Sequence, residues 1–460
     1  MISGLFLAIT VRLTYFIAKN NYLCTAMQFL QLILCLSLLV ILHEFGHFIT
    51  AKIFGVRVEK FYLFFNPWFS LVKFKPKGSE TEYGIGWLPF GGYVKLAGMI
   101  DESLDTEQMA RPAQPWEFRS KPAWQRLIIM SAGVVMHFLT AIVIFSMVLY
   151  SRGEEYVRLQ DATMGMEFSE VAHNQGFRDG DVLLEADGEP LEAFDEENLR
   201  KILDASTVTV MRDGERKTLT MTRTFKRDLV GSKSGFADFR IPFIVKDVIA
   251  STPAEAAGLM AGDSIVGING KEYVAWTDFT PVIRENSGVP MQLDYYRGGE
   301  RMTTTLTPDT LGKIGVYVTP YYEIYPVTKH SYGFWESFPA GISKGVKTFT
   351  GYGSDFKMVF TKEGAENLGG FGTITKMFPD SINWLYFWYM TAYLSIILAF
   401  MNILPIPALD GGHIIFLLYE IITRKQLSQE FMIRMQQIGL LLLLALLLYA
   451  NGMDIIRALQ

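Results

Sequence analysis

Phe29-Leu30-Gln31-Leu32-Ile33-Leu34-Cys35-Leu36-Ser37-Leu38-Leu39-Val40-Ile41-Leu42-His43-Glu44-Phe45-Gly46-His47 joins a run of almost wholly apolar residues to two histidines and a glutamate. About 20 apolar residues cross a hydrocarbon layer of roughly 30 Å. Phe48-Ile49-Thr50-Ala51 continues the helix, so the histidines fall near the end of a membrane span. Histidines four positions apart share one helix face and can hold one metal ion, and the glutamate beside the first can act as a general base toward water. A water-using metal is therefore expected at membrane depth.

The rest of the composition agrees with a membrane protein. Of 460 residues, 50% are hydrophobic and 34 are phenylalanine, which leaves room for a helical bundle and one or two soluble domains. A net charge of -5 gives no reason to expect nucleic acid. Cys24 and Cys35 both lie in the apolar N-terminal region and make no disulfide framework. Residues 1–26 read as an uncleaved extension, because Arg12 interrupts the apolar run and no small-residue cleavage pattern follows. Met27 is the alternative start.

Four main spans are expected, at about 28–50, 127–150, 385–404 and 436–450. Lysines and arginines from Lys52 to Arg126 fill the loop after the first span, and Arg424, Lys425 and Arg434 follow the third. Positive charge near span ends marks the cytoplasmic side, which predicts both termini and the long polar stretch between spans two and three on the opposite side.

That polar stretch contains a repeat. Gly176-Phe177-Arg178-Asp179-Gly180-Asp181-Val182-Leu183 recurs 82 positions on as Gly258-Leu259-Met260-Ala261-Gly262-Asp263-Ser264-Ile265, and Asp187-Gly188 matches Asn269-Gly270. The turns Arg212-Asp213-Gly214-Glu215 and Arg297-Gly298-Gly299-Glu300 lie three positions further apart. Each unit reads as short strands broken by glycine turns, with helices near 195–204 and 277–286.

A catalytic zinc takes three protein ligands and keeps a fourth position for water. Of the other histidines, His137, His173, His330 and His413, none forms a second close pair. The stronger third ligand is Asp410 in Asn402-Ile403-Leu404-Pro405-Ile406-Pro407-Ala408-Leu409-Asp410-Gly411-Gly412-His413, at the end of the third apolar segment. The prolines break regular helix, and an intramembrane carboxylate is costly without a partner such as zinc. His413, one turn beyond, is the weaker candidate.

Taken together, these segments resemble the site-2 protease family (M50) of intramembrane zinc metalloproteases, and most closely its bacterial members with two PDZ domains. The resemblance covers nearly the whole chain after Met27. It implies a polytopic α-helical membrane protein with four main transmembrane helices, a membrane-associated β-hairpin and two inserted, mostly-β PDZ-like domains. Its domains would be the extension at 1–26, the first half of the protease core at 27–150, PDZ-like units at 151–235 and 236–325, an amphipathic connection at 326–384 and the second half of the core at 385–460. Metal ligands fall on His43, His47 and Asp410, the catalytic base on Glu44, and a substrate-binding or oxyanion group on Asn402. Gly84-Ile85-Gly86-Trp87-Leu88-Pro89-Phe90-Gly91-Gly92-Tyr93-Val94-Lys95 resembles the family's hairpin, with Gly86, Gly91 and Gly92 as positions for strand pairing with substrate.

Two departures stand out. Ala132-Gly133-Val134-Val135-Met136-His137-Phe138 replaces the family's Ala-Gly-Pro and Asn-Phe, which leaves three roles open to His137: ligand, tuning partner or buried structural residue. Gly369-Gly370-Phe371-Gly372-Thr373-Ile374 is likewise an altered form of a Gly-Pro-containing stretch.

The implied activity is endopeptidase cleavage of transmembrane segments with one catalytic Zn2+, on anti-sigma factors or remnant signal peptides. Its substrates would be membrane proteins already trimmed by another protease. The bacterial inner membrane is the expected location, with PDZ-like domains outside and the active site toward the cytoplasm. Those domains are either substrate filters or plain spacers. A non-catalytic, zinc-braced scaffold is the competing class, although a structural metal has no need of Glu44. A metal sensor or transporter would need a polar path that these spans lack.

Overall fold

The computed structural model describes residues 2–99, 111–232 and 234–459, with side chains from Thr25 onward except Phe90 and Ser354. Cys24 lies outside the described side chains, and Cys35 is a buried free thiol. The chain divides into two compact units, residues 1–153 with 331–460 and residues 154–330.

The first unit is a helical membrane body. Helix α1 runs Ile2–Ile53 and α2 Ala123–Arg152. After the second unit come α3 (Phe334–Asp355), α4 (Trp384–Ile403), α5 (Asp410–Thr423) and α6 (Gln429–Leu459). Four helical segments are long and apolar enough to span a membrane: Thr25–Ile53, Ala123–Arg152, Trp384–Ile403 and Gln429–Leu459. Helix α2 is the hub, packing against α1, α3, α4 and α5. Its buried residues recur every three or four positions, from Ile129 and Met130 through Gly133, His137 and Ala141 to Phe145, so one stripe faces the body and the other faces lipid.

Two features here differ from expectation. Asp410 does not end the third span but opens α5, a separate helix reached through the bend Leu404–Leu409, where Ala408 adopts φ +78°. The stretch between spans three and four thus contains a helix of its own, Asp410–Thr423. The hairpin is also larger, because β1 (Val58–Phe74) pairs antiparallel with β2 (Glu82–Leu96). Positive φ at Phe64 and Trp68 folds β1 back on itself, so Tyr62 and Lys73 both pair with Gly84, and Tyr62 pairs again with Tyr93 on its other side.

The second unit holds two antiparallel β modules. In the first, strands run in the order Glu189–Pro190, Val182–Ala186, Thr207–Arg212 and Glu215–Thr220, with helix Glu196–Asp204. In the second the order is Glu300–Leu306, Met291–Arg297, Ser264–Ile268, Phe243–Val248 and Val316–Val318, with helix Trp276–Glu285. Phe236, Phe239 and Tyr325 join the first module's core.

The repeated Gly-Asp and Arg turns prove to be two ends of one interaction. Arg212 donates from Nε to Asp181 Oδ1 and from Nη2 to Asp181 Oδ2, both at 2.7 Å, and also to the carbonyl of Gly176 at 2.7 Å. Arg297 makes the same contacts to Asp263 and the carbonyl of Gly258, again at 2.7 Å. Both carboxylates are buried, a placement that the bidentate guanidinium makes tolerable.

Candidate active site

Helical spacing puts His43 and His47 on the α1 face that meets α2. The close crossing depends on small residues: a Cβ on Gly46 already lies outside what α2 permits, since it would sit 2.6 Å from the Ala132 carbonyl oxygen. Across the interface, a Cβ on Gly133 would sit 2.5 Å from His43 Cε1 and 2.5 Å from His47 Nε2. Gly133 is the floor of the imidazole pair, and only hydrogen fits there.

Asp410 reaches the same point from the first turn of α5. A Cβ on the next residue, Gly411, would lie 2.1 Å from the Leu404 carbonyl oxygen, so the proline-containing bend can curl tightly over the helix start only because a glycine follows the aspartate. Asp410 Oδ2 is 3.4 Å from Nε2 of His43 and 3.4 Å from Nε2 of His47, and the two Nε2 atoms are 3.2 Å apart. His47 Nδ1 lies 2.8 Å from the Ile129 carbonyl oxygen, which can only accept, so the ring proton sits on Nδ1 and the Nε2 lone pair points inward.

These distances pass a simple test for zinc. Tetrahedral ligands at about 2.0–2.1 Å from an ion are separated from one another by roughly 3.3–3.4 Å. Asp410 Oδ2 is buried and accepts no hydrogen bond, an expensive state that an ion would relieve. Among the described residues His43, His47 and Asp410 form the single cluster able to hold a metal ion, their donor atoms all within 4.8 Å.

A cavity of about 630 Å³ adjoins the cluster. Glu44, Asn402, His413 and Gln436 line it together with the three metal-binding candidates, and β2 contributes Leu88 and Gly92 to Leu96. Gly92 packs against α1, where a Cβ would meet Val40 Cγ1 at 2.7 Å. Gly86 and Gly91 are enclosed by Phe65 and do not line the cavity. His413 faces the cavity but stands outside the metal cluster. His137 is also outside it: its ring lies 4.8 Å from that of His43, and Ser395 Oγ donates to its carbonyl at 2.7 Å.

Sequence reasoning missed Gly133 as a steric floor and Gln436 as a cavity residue. Gln436 stood at the expected edge of the fourth span, where a polar residue draws no notice. A longer reading of that span would have flagged it as an intramembrane amide.

The fold and site define a zinc-type hydrolase built into a helical membrane body. Residues 31–446 match the model for peptidase family M50, and the chain belongs to that family. It is 30% identical over 462 residues to the regulator of sigma-E protease RseP of Salmonella typhimurium, covering 91% of this chain and 96% of that one. It is also 30% identical over 465 residues to protease RseP of Yersinia pestis, with the same coverage. The regulator of sigma E protease of Haemophilus influenzae is 28% identical over 449 residues, covering 92% and 98%. The family and the His-His-Asp cluster make this a metalloendopeptidase of the site-2 type.

Proposed function

We propose that the protein is a zinc-dependent endopeptidase that cuts within transmembrane segments of membrane proteins, with His43, His47 and Asp410 as the ligands of one ion and Glu44 as the base. The convergence of three donors at tetrahedral spacing beside a cavity that Glu44 also lines carries this reading. Zinc would lower the pKa of a water molecule and polarise the scissile carbonyl. Glu44 takes the proton of the attacking water and returns it to the leaving amine. The Ile129 carbonyl keeps His47 in the tautomer that ligation requires. Asn402 lines the same cavity, which supports a role for its carboxamide in holding substrate backbone or the developing oxyanion.

Helical peptide bonds are closed to attack until the helix unwinds, and an unwound backbone in lipid must find new hydrogen-bond partners. The β2 edge at Gly92–Lys95 supplies them as an added strand; of the three glycines read for strand pairing, Gly92 is the one that lines the cavity. The positive loops favour an orientation with this site toward the cytoplasm and the two β modules, read as PDZ-like filters, outside the inner membrane. Relatives named as sigma-E regulators favour anti-sigma-type substrates, with remnant signal peptides as a second class.

The test is cleavage of a membrane-embedded peptide by the purified chain in lipid vesicles. Loss of cleavage on chelation and recovery with zinc supports the reading; chelator-insensitive cleavage, or none with zinc bound, defeats it.

A further inference from the structure

Helix α6 is mostly a lipid-facing leucine helix, yet it carries one buried amide. Of its 31 residues the two buried ones are Gln436 and Gly439. They lie three positions apart on one face. Gly439 explains how α6 approaches the site, since a Cβ there would lie 1.8 Å from the Pro407 carbonyl oxygen, inside the bend that carries Asp410. Gln436, one turn earlier, is 5% exposed and lines the cavity beside Asn402 and Asp410. No described residue hydrogen-bonds its carboxamide. Its polar atoms are not among the fully enclosed side-chain atoms that lack a partner, so the carboxamide opens on the cavity and can pair with what enters there.

Resting on the proposed proteolytic reading, we infer that Gln436 is a substrate-positioning residue whose carboxamide pairs with the backbone of the unwound segment. A carboxamide offers both a donor and an acceptor, the complement of a peptide unit freed from its helix. This pairing tolerates any side chain on the substrate, so it selects for unwinding rather than for sequence. Strand β2 and α6 would together replace the hydrogen bonds that the substrate helix gives up.

Binding is measured on zinc-loaded, full-length Glu44→Gln protein in nanodiscs with a fluorescent transmembrane peptide. Adding Gln436→Met, which keeps volume and removes both polar groups, should weaken Kd about tenfold with zinc per chain and melting temperature unchanged. An unchanged Kd, or loss of zinc, overturns the inference. An ester scan of the peptide gives a readout that does not depend on the variant's folding. Replacing one backbone N–H by oxygen should weaken binding to Gln436 protein at one position about tenfold and leave Gln436→Met binding flat; a flat profile for both overturns it. Cleavage by protein with Glu44 intact is scored separately, so peptide that binds through Gln436 but is not cut counts against proteolysis alone.

Discussion

Gly133 touches His47 so closely that a methyl group on it would stand 2.5 Å from the Nε2 atom that faces the metal position. The two helices that build the histidine pair can meet only at hydrogen-sized separation there. Gly133→Ala should push α1 from α2 or turn the imidazoles away, an overpacking cost of about 1–3 kcal/mol. Zinc per purified chain should fall well below one, and cleavage with it, while the protein still inserts in membranes. Full zinc occupancy in this variant, read by elemental analysis, would contradict the steric account.

Arg126 and Glu420 tie the far end of α5 to α2. Nη2 of Arg126 lies 2.5 Å from Glu420 Oε1, and Nε donates to the Lys121 carbonyl at 2.9 Å. Both side chains are largely buried, so removing one charge strands the other at a cost of about 3–5 kcal/mol. Arg126→Met should therefore lower the melting temperature of the detergent-solubilised protein sharply. Arg126→Met with Glu420→Met should recover much of the loss, because no lone charge remains. A double variant no better than the single would show that the pair is not the source of the effect.

Asp187 gives the first β module an acid-sensitive contact at a position where the second carries Asn269. Backbone N–H groups of Ser206 and Thr207 donate to its carboxylate, which holds its pKa below the usual range. At the matching repeat position Asn269 accepts from the Gln292 N–H and cannot titrate in this way. A depressed folded pKa means that the stabilisation is present above the unfolded value of about 3.9 and is lost as pH falls through the folded one. Hydrogen exchange at Ser206 and Thr207 in the full chain should quicken in that acidic window relative to Gln292, and Asp187→Asn should abolish the difference.

The chemistry was legible in the sequence because His43, Glu44, His47 and Asp410 are conspicuous among apolar neighbours, and such residues are rare there without function. What escaped were relationships between distant segments. The Gly-Asp and Arg turns were visible as repeats, but nothing in one dimension shows that Asp181 and Arg212 clasp one another. Strand β1 was hidden by Pro67 and by the left-handed turns at Phe64 and Trp68, which fold it back against β2. Helix α5 merged with the third span because the bend between them is short and apolar. Gly133 and Gly439 look like any glycine until the groups opposite them are placed.

The central claim is that Glu44 acts on water at a site formed by His43, His47 and Asp410. The most direct measurement compares wild-type and Glu44→Gln protein for zinc content and for cleavage of one membrane-embedded peptide. The expected result is one zinc per chain in both, with cleavage lost in the variant by a factor of at least about 10²–10⁴, as for removal of a general base. Near wild-type cleavage by zinc-loaded Glu44→Gln protein would contradict the account.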